Sequence, residues 1–196
     1  MKFGRIPADS KGVTRLAATL VVLALVFAAG AAADGSGPQQ PATAADTSAQ
    51  SITAVAELEH ELLGGVNQVR KAHGLVPLRL NAQLAAVARD HSRSMAQFGY
   101  FRHTSEDGSA FWQRIRPVYP SLPGRSWSAG ENMVWASPGL SAAQAVGMWM
   151  HSPEHRKNML TPSWREIGIG GVHALAAPGV YQGLDVTIVT ADFGVR

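Results

Sequence analysis

The sequence predicts an α+β domain with its helices first and its strands last. Apolar residues recur at helical spacing through the first two thirds of the chain after residue 52. The last third instead has two β-branched runs, residues 167–172 and 186–193, separated by 176–179. Helices followed by strands are typical of the α+β class, and the short separation of the two runs predicts an antiparallel hairpin.

The N-terminal third divides into two segments that precede this domain. Residues 1–33 have a basic start, an apolar stretch and a run of three alanines, which is typical of a cleaved signal peptide. An uncleaved anchor is the alternative, because residues 16–33 carry no charge. Residues 34–51 contain no large apolar side chain, which predicts a flexible linker. The domain is therefore expected to span residues 52–196. We therefore expect an exported protein, with no stable membrane span once the signal is cleaved.

Composition excludes some classes of function. The formal charge is +3, but residues 1–33 hold four of the 17 basic and one of the 14 acidic residues. The remainder has 13 of each and is about neutral, without the basic surface that nucleic-acid binding requires. There is no cysteine, so neither a disulfide framework nor a thiol nucleophile is available.

Two helices are predicted at the start of the domain. Residues 53–73 place apolar side chains on one face, and Gly74 follows. Asn81 is a predicted N-cap for a second helix that runs to about Phe98, with Gly99 as its C-cap. His91 lies on the apolar face of that helix. We interpret it as a core histidine bonded to a backbone carbonyl. A role in the functional site is the alternative.

Four short elements follow, each with a turn at one end. Residues 109–116 predict a short helix. Glu131 follows Gly130 at the start of a segment that becomes apolar. Ser141 is a predicted N-cap for a further helix, and Ser152-Pro153-Glu154 has the composition of a new helix start. His151 and His155 have the i, i+4 spacing of a metal-ligand pair, but Pro153 breaks the helix between them. We therefore expect His155 in the site and His151 in solvent or a supporting position.

Four motifs in order resemble the CAP superfamily, in its bacterial SCP-like extracellular branch. They are Gly-Tyr-Phe-Arg-His ending at His103, Ala-Gly-Glu-Asn-Met around Glu131, residues 149–160 around His155, and Glu-Ile-Gly-Ile-Gly from Glu166. The resemblance covers roughly residues 58–194. It implies an α-β-α sandwich, with a small antiparallel sheet between helical layers.

The resemblance also implies a cleft of two histidines and two acidic residues, which in several family members holds a divalent metal. His103, Glu131 and His155 match three of these positions. The family's acid near Ser152 is missing, and the later Gly-His-Tyr-Thr-Gln motif has no histidine counterpart in residues 186–193. Two imidazoles and one carboxylate could still hold zinc or another divalent cation with an open water position. The alternative is a hydrogen-bonded structural His–Glu–His cluster.

Two classes of function remain open. The first is a non-enzymatic binding module that uses the cleft, or an apolar groove, for a small molecule, lipid, peptide or envelope ligand. The second is a metal-assisted, peptidase-like hydrolase with Glu131 or a histidine as general base. A serine nucleophile at Ser105 or Ser152 has no distinguishing sequence setting. We expect the binding module.

Overall fold

A computed structural model describes residues 51–196, which form one sheet between two layers of helices. The predicted signal peptide, 1–33, and all of the predicted linker except Ser51 lie outside the described residues. The strands are β1 (Ile52–Ala54), β2 (Arg79–Leu80), β3 (Ser128–Ala136), β4 (Glu166–Ala177) and β5 (Leu184–Val195). Their order is β1-β4-β5-β3, with antiparallel neighbours, and the short β2 pairs parallel with the start of β4.

Five helices complete the domain: α1 (Ala56–Ala72), α2 (Ala82–Phe98), α3 (Phe111–Ile115), α4 (Ala142–His151) and α5 (Pro153–Met159). Helix α2 packs on one face of the sheet, and α1 and α4 pack on the other. The predicted α+β sandwich and the β4–β5 hairpin are therefore confirmed. Within residues 51–196, no helix is both long enough and apolar enough to cross a bilayer.

The predicted start of the first helix is wrong. Residues 52–54 form strand β1, in which Ile52 is opposite Ala174 of β4, and α1 begins only at Ala56. The β-branched Ile52 and Thr53 suit an extended edge strand, and pairing with β4 outweighs the weak local helical pattern. The predicted helix 109–116 is likewise shorter and covers Phe111–Ile115.

The predicted caps of α2 are confirmed. The side chain of Asn81 accepts hydrogen bonds from the backbone N–H groups of Gln83 and Leu84 at 3.0 and 3.1 Å. Gly99 ends the helix in the left-handed region, with φ of 68°. The loop that carries His103 follows this turn. Ser141 also caps α4, as predicted, through its hydroxyl and the N–H of Gln144.

Glycines on β4 determine how closely α2 packs on the sheet. A Cβ atom at Gly168 would lie 2.1 Å from the backbone of α2, and one at Gly170 would lie 2.0 Å from it. The alternating Gly-Ile-Gly pattern therefore puts glycine against the helix and Ile169 in the opposite core. Trp149 and Ile169 are buried in the core, whereas Leu160 is only half-buried at the end of α5.

Candidate functional site

A cavity of about 460 Å³ opens between the loop after α2, strand β3 and helix α5. All three predicted site residues line it. The residues that matter for its chemistry are His103, Glu131, Asn132, Glu154, His155 and Lys157. We call this cavity the cleft. The topology thus brings together side chains from three distant parts of the chain, as the sequence predicted.

The loop that carries His103 is held in place by hydrogen bonds to its backbone. Nε2 of the buried His91 donates to the carbonyl of Arg102 at 3.1 Å. The Tyr181 hydroxyl donates to the carbonyl of Tyr100 at 2.8 Å. The prediction that His91 is a core histidine bonded to a carbonyl is confirmed. Burial, and then the charge of Arg114, lower the pKa of His91 to about 4, so its imidazole is neutral.

Glu131 is a fully buried carboxylate with two charged or polar donors. Nδ1 of His103 donates to Oε1 at 2.7 Å, and a guanidinium N–H of Arg114 donates to Oε2 at 2.5 Å. Arg114 also donates to the carbonyl of His103 at 2.9 Å, so it holds both members of the pair. The carboxylate therefore fixes the His103 ring with Nε2 directed away from Glu131.

A second carboxyl group, that of Asp192, lies beside Glu131. The two residues are direct partners across β3 and β5, and Asp192 is almost wholly buried. Within residues 51–196, neither oxygen of Asp192 has a donor from another group. Burial, and then the charge of Glu131, raise the pKa of Asp192 well above its usual value. The protonated acid can donate its single O–H to Glu131, which avoids two adjacent negative charges.

Helix α5 brings His155 to the cleft because the chain turns sharply at Ser152-Pro153. Two side-chain bonds hold this corner on β3. Trp149 donates from Nε1 to the carbonyl of Met133 at 3.0 Å, and Asn132 donates from Nδ2 to the carbonyl of His155 at 3.0 Å. The predicted helix start at Pro153 is confirmed. These contacts show that β3 positions both sides of the cleft.

His155 does not contact Glu131 and has a different partner. Its Nδ1 lies 2.8 Å from the hydroxyl of Ser152, which makes no cap bond to the helix backbone. Burial, and then the proximity of His103, lower the pKa of His155. The ring is therefore neutral near pH 7, with Nε2 unused by other side chains of the described domain. His151, in contrast, is exposed and its Nδ1 contacts the carbonyl of Gly147 at 2.7 Å.

The two rings meet the basic requirements of metal ligands. Each Nδ1 is held by a second group, Glu131 for His103 and Ser152 for His155, which leaves each Nε2 available. Glu154 lines the same cleft as an exposed carboxylate. No ready-made group of three His, Asp or Glu ligands exists within the described part of the chain. The arrangement thus offers two imidazoles, with Glu131 behind one of them.

An apolar pocket of about 270 Å³ adjoins the cleft. Its walls include Phe101, Met133, Trp135 and Met148, and it shares His155 with the cleft. The imidazole of His155 therefore lies between the cleft and the apolar pocket. A ligand that joined a polar group to a small apolar group would contact both.

Sequence reasoning missed Arg114 and Asp192, and it treated Glu154 only as a helix-capping charge. Asp192 could have been found from the alternation of β5. Val186, Ile188 and Thr190 face the same side as Asp192, so a carboxyl group stands at an inward position. Arg114 had no such signal, because its helix has only five residues and too few positions to show a pattern.

The chain belongs to the cysteine-rich secretory protein (CAP) family. The family match spans residues 63–176, more than half of the chain. It is similar to the protein YkwD of Bacillus subtilis, with 33% identity over 147 residues, 74% of this chain and 55% of that protein. A second relative, the membrane protein YlbC of the same organism, is 30% identical over 57% of this chain and 31% of its own length. The chain thus spans about half, or less, of these relatives.

A solved structure with the same fold is an extracellular protein containing an SCP domain from Bacillus anthracis. It is 25% identical, with a TM-score of 0.56, over 72% of this chain and 41% of that one. An outer surface protein of Borrelia burgdorferi has 21% identity and a TM-score of 0.55, over 74% of this chain and 98% of that one. The second likeness shows the fold alone.

Proposed function

We propose that this chain is an exported binding module whose cleft holds a divalent metal, such as zinc, and a polar ligand of the cell envelope. The observation that carries the proposal is the pair of imidazoles that line the cleft, each held through Nδ1 by a hydrogen bond that leaves Nε2 available. Export is supported by residues 1–33 of the sequence and by the similarity to an extracellular SCP-domain protein of Bacillus anthracis.

In this proposal His103 and His155 ligate the metal, and Glu131 supports His103 from behind. Both oxygens of Glu131 already accept hydrogen bonds, so the carboxylate serves to orient the His103 ring. Glu154 is the available carboxylate of the cleft for a third position. A bound zinc ion would supply a Lewis acid and a water of lowered pKa. The apolar pocket beside His155 would take an apolar part of the ligand.

A metal-binding measurement tests the proposed metal site. Zinc titration of the exported protein, purified without chelator or metal-binding tag, is expected to show one site at neutral pH. His103→Ala and His155→Ala should each abolish it, and Glu131→Gln should weaken it by about 10- to 100-fold. His151→Ala is the matched control, because this exposed histidine lies four residues from His155 and contacts only its own helix. Zinc binding should weaken as pH falls through the histidine range. An unchanged affinity in His155→Ala would contradict the assignment.

A metal-assisted hydrolase is the second candidate, and one contact favours it. Nδ1 of His103 is bonded to Glu131 at 2.7 Å, an arrangement in which a carboxylate orients an imidazole that could serve as a general base through Nε2. One experiment separates the two candidates. The protein is incubated with isolated envelope polymer, with and without zinc, while bound protein and released fragments are both measured. Retention without fragments supports the binding module, whereas zinc-dependent release that His103→Gln removes supports the hydrolase.

A further inference from the structure

Four large apolar side chains project into solvent at one end of the domain. Phe98 ends α2, Leu175 and Leu184 flank the β4–β5 turn, and Val180 lies within that turn. Their exposed fractions are 51%, 44%, 47% and 52%. We call these four residues the apolar tip. They are four of the nine large exposed apolar residues of the described domain, which indicates a concentration at this end.

The apolar tip belongs to a firmly held part of the structure. The backbone N–H of Val180 donates to the carbonyl of Gly99 at 2.9 Å, which joins the turn to the end of α2. Tyr181 is buried between them and anchors the turn below the surface. The exposed side chains are therefore presented on a fixed backbone, at little cost in conformational entropy on binding.

The β4–β5 turn, which carries three of the four tip residues, is uncharged. Residues 174–184 include no Asp, Glu, Lys, Arg or His. The next residue, Asp185, directs its carboxylate to the backbone N–H of Ala176 at 2.9 Å. A surface of this composition suits an apolar phase better than a charged protein partner, which would call for complementary charge.

The N-terminal part of the chain joins the domain beside the tip. The carbonyl of Ser51 accepts a hydrogen bond from the backbone N–H of Leu175 at 3.1 Å, and Ile52 pairs with Ala174. Fifty residues precede Ser51, and residues 16–33 among them are apolar and uncharged. The chain therefore enters the domain beside the apolar tip, at Ser51 and Ile52.

We propose that the apolar tip is a membrane-contacting surface that seats the domain on the outer face of the bilayer. Phe98, Val180 and the two leucines enter the boundary between headgroups and acyl chains, where apolar side chains gain free energy by leaving water. The buried pair of Glu131 and Asp192 would then lie away from the lipid. Asp192 is eight residues along β5 from Leu184, which corresponds to roughly 27 Å at 3.4 Å per residue. This surface is independent of the ligand proposed for the cleft.

Vesicle sedimentation of the exported protein tests the proposal. The probes are vesicles of phosphatidylcholine, with and without phosphatidylglycerol. Wild type is expected to bind both, with little dependence on NaCl, because burial of apolar surface is not screened by salt. The double variant Phe98→Glu/Val180→Glu should lower the partition coefficient between vesicles and water about ten-fold or more. Leu175→Ser/Leu184→Ser is a second, milder pair for the case in which the first is unstable.

Val76→Glu is the matched control, because Val76 is 58% exposed and precedes β2, which pairs with the opposite end of β4. This variant should bind vesicles as wild type does. Absence of wild-type binding, or binding confined to phosphatidylglycerol and abolished by salt, would overturn the proposal. A dimer that the tip variants dissociate, without vesicle binding, would instead identify a self-association surface and also overturn it. Unchanged zinc binding in the tip variants separates this outcome from a failure of the cleft.

Discussion

Glu131 and Asp192 are directly opposite each other on β3 and β5, so two carboxyl groups occupy one buried site. Arg114 supplies one positive charge to this site through its bond to Glu131. A single guanidinium neutralises one carboxylate, and the second carboxyl group keeps its proton. His103 is therefore hydrogen-bonded to one member of a carboxyl pair, Glu131 and Asp192, that together carries one negative charge.

The first prediction concerns the proton of Asp192. Its pKa is raised in the folded protein, so folding stability is expected to fall as pH rises from the unfolded value of about 3.9 towards the folded one. Asp192→Asn removes this loss and keeps an N–H donor for Glu131. In urea unfolding, the variant should gain stability relative to wild type as pH increases from 5 to 8. A variant that loses stability relative to wild type over this range would contradict the shared proton.

The second prediction concerns His91, whose folded pKa of about 4 lies below the ordinary value of 6.5. The unfolded chain then binds a proton that the folded one does not, so stability falls as pH drops from 6.5 to 4. The loss attributable to His91 is at most about 3 kcal/mol. His91→Gln, which keeps a donor for the carbonyl of Arg102, should reduce the acid sensitivity measured by urea unfolding. An NMR titration that shows His91 protonated at pH 5.5 would contradict it.

The third prediction concerns the packing of α2 on β4. Gly170→Ala would put a methyl group 2.0 Å from the backbone of Arg89, so the helix would have to move. We expect a loss of more than about 4 kcal/mol, or failure to fold. Gly147→Ala is the matched control within α4, because no atom lies within 4 Å of its added methyl group. It should be neutral or raise stability by roughly 0.5–1 kcal/mol, as judged by thermal unfolding.

The fourth prediction concerns the two N-terminal segments. The mass of the exported chain should correspond to a start at or near Asp34, after the three alanines. A mass that retains residues 16–29 would indicate a membrane anchor instead. Deletion of residues 34–50 should leave Tm unchanged, because the first described contact of the domain is made by Ser51. A lowered Tm would show that the linker packs on the domain.

Local chemistry predicted much of the fold. Asn81, Gly99, Ser141 and Pro153 each mark a helix end through bonds or dihedral limits within a few residues, so their effect is visible in the sequence. The start of α1 was the exception. Ile52 and Thr53 belong to β1 only because Ala174 and His173 lie beside them, more than a hundred residues later.

The sequence by itself determined the class of the domain, the ends of its helices and the three residues of the cleft, His103, Glu131 and His155, through motifs that resemble the CAP family. Only the tertiary structure decided which groups these residues contact. Glu131 is bonded by Arg114 and faces Asp192, whereas His155 turns to Ser152. The reason is that caps and periodicity depend on neighbours within a turn or strand. A buried carboxyl pair depends instead on strand register, which the pairing of β3 with β5 sets across about sixty residues.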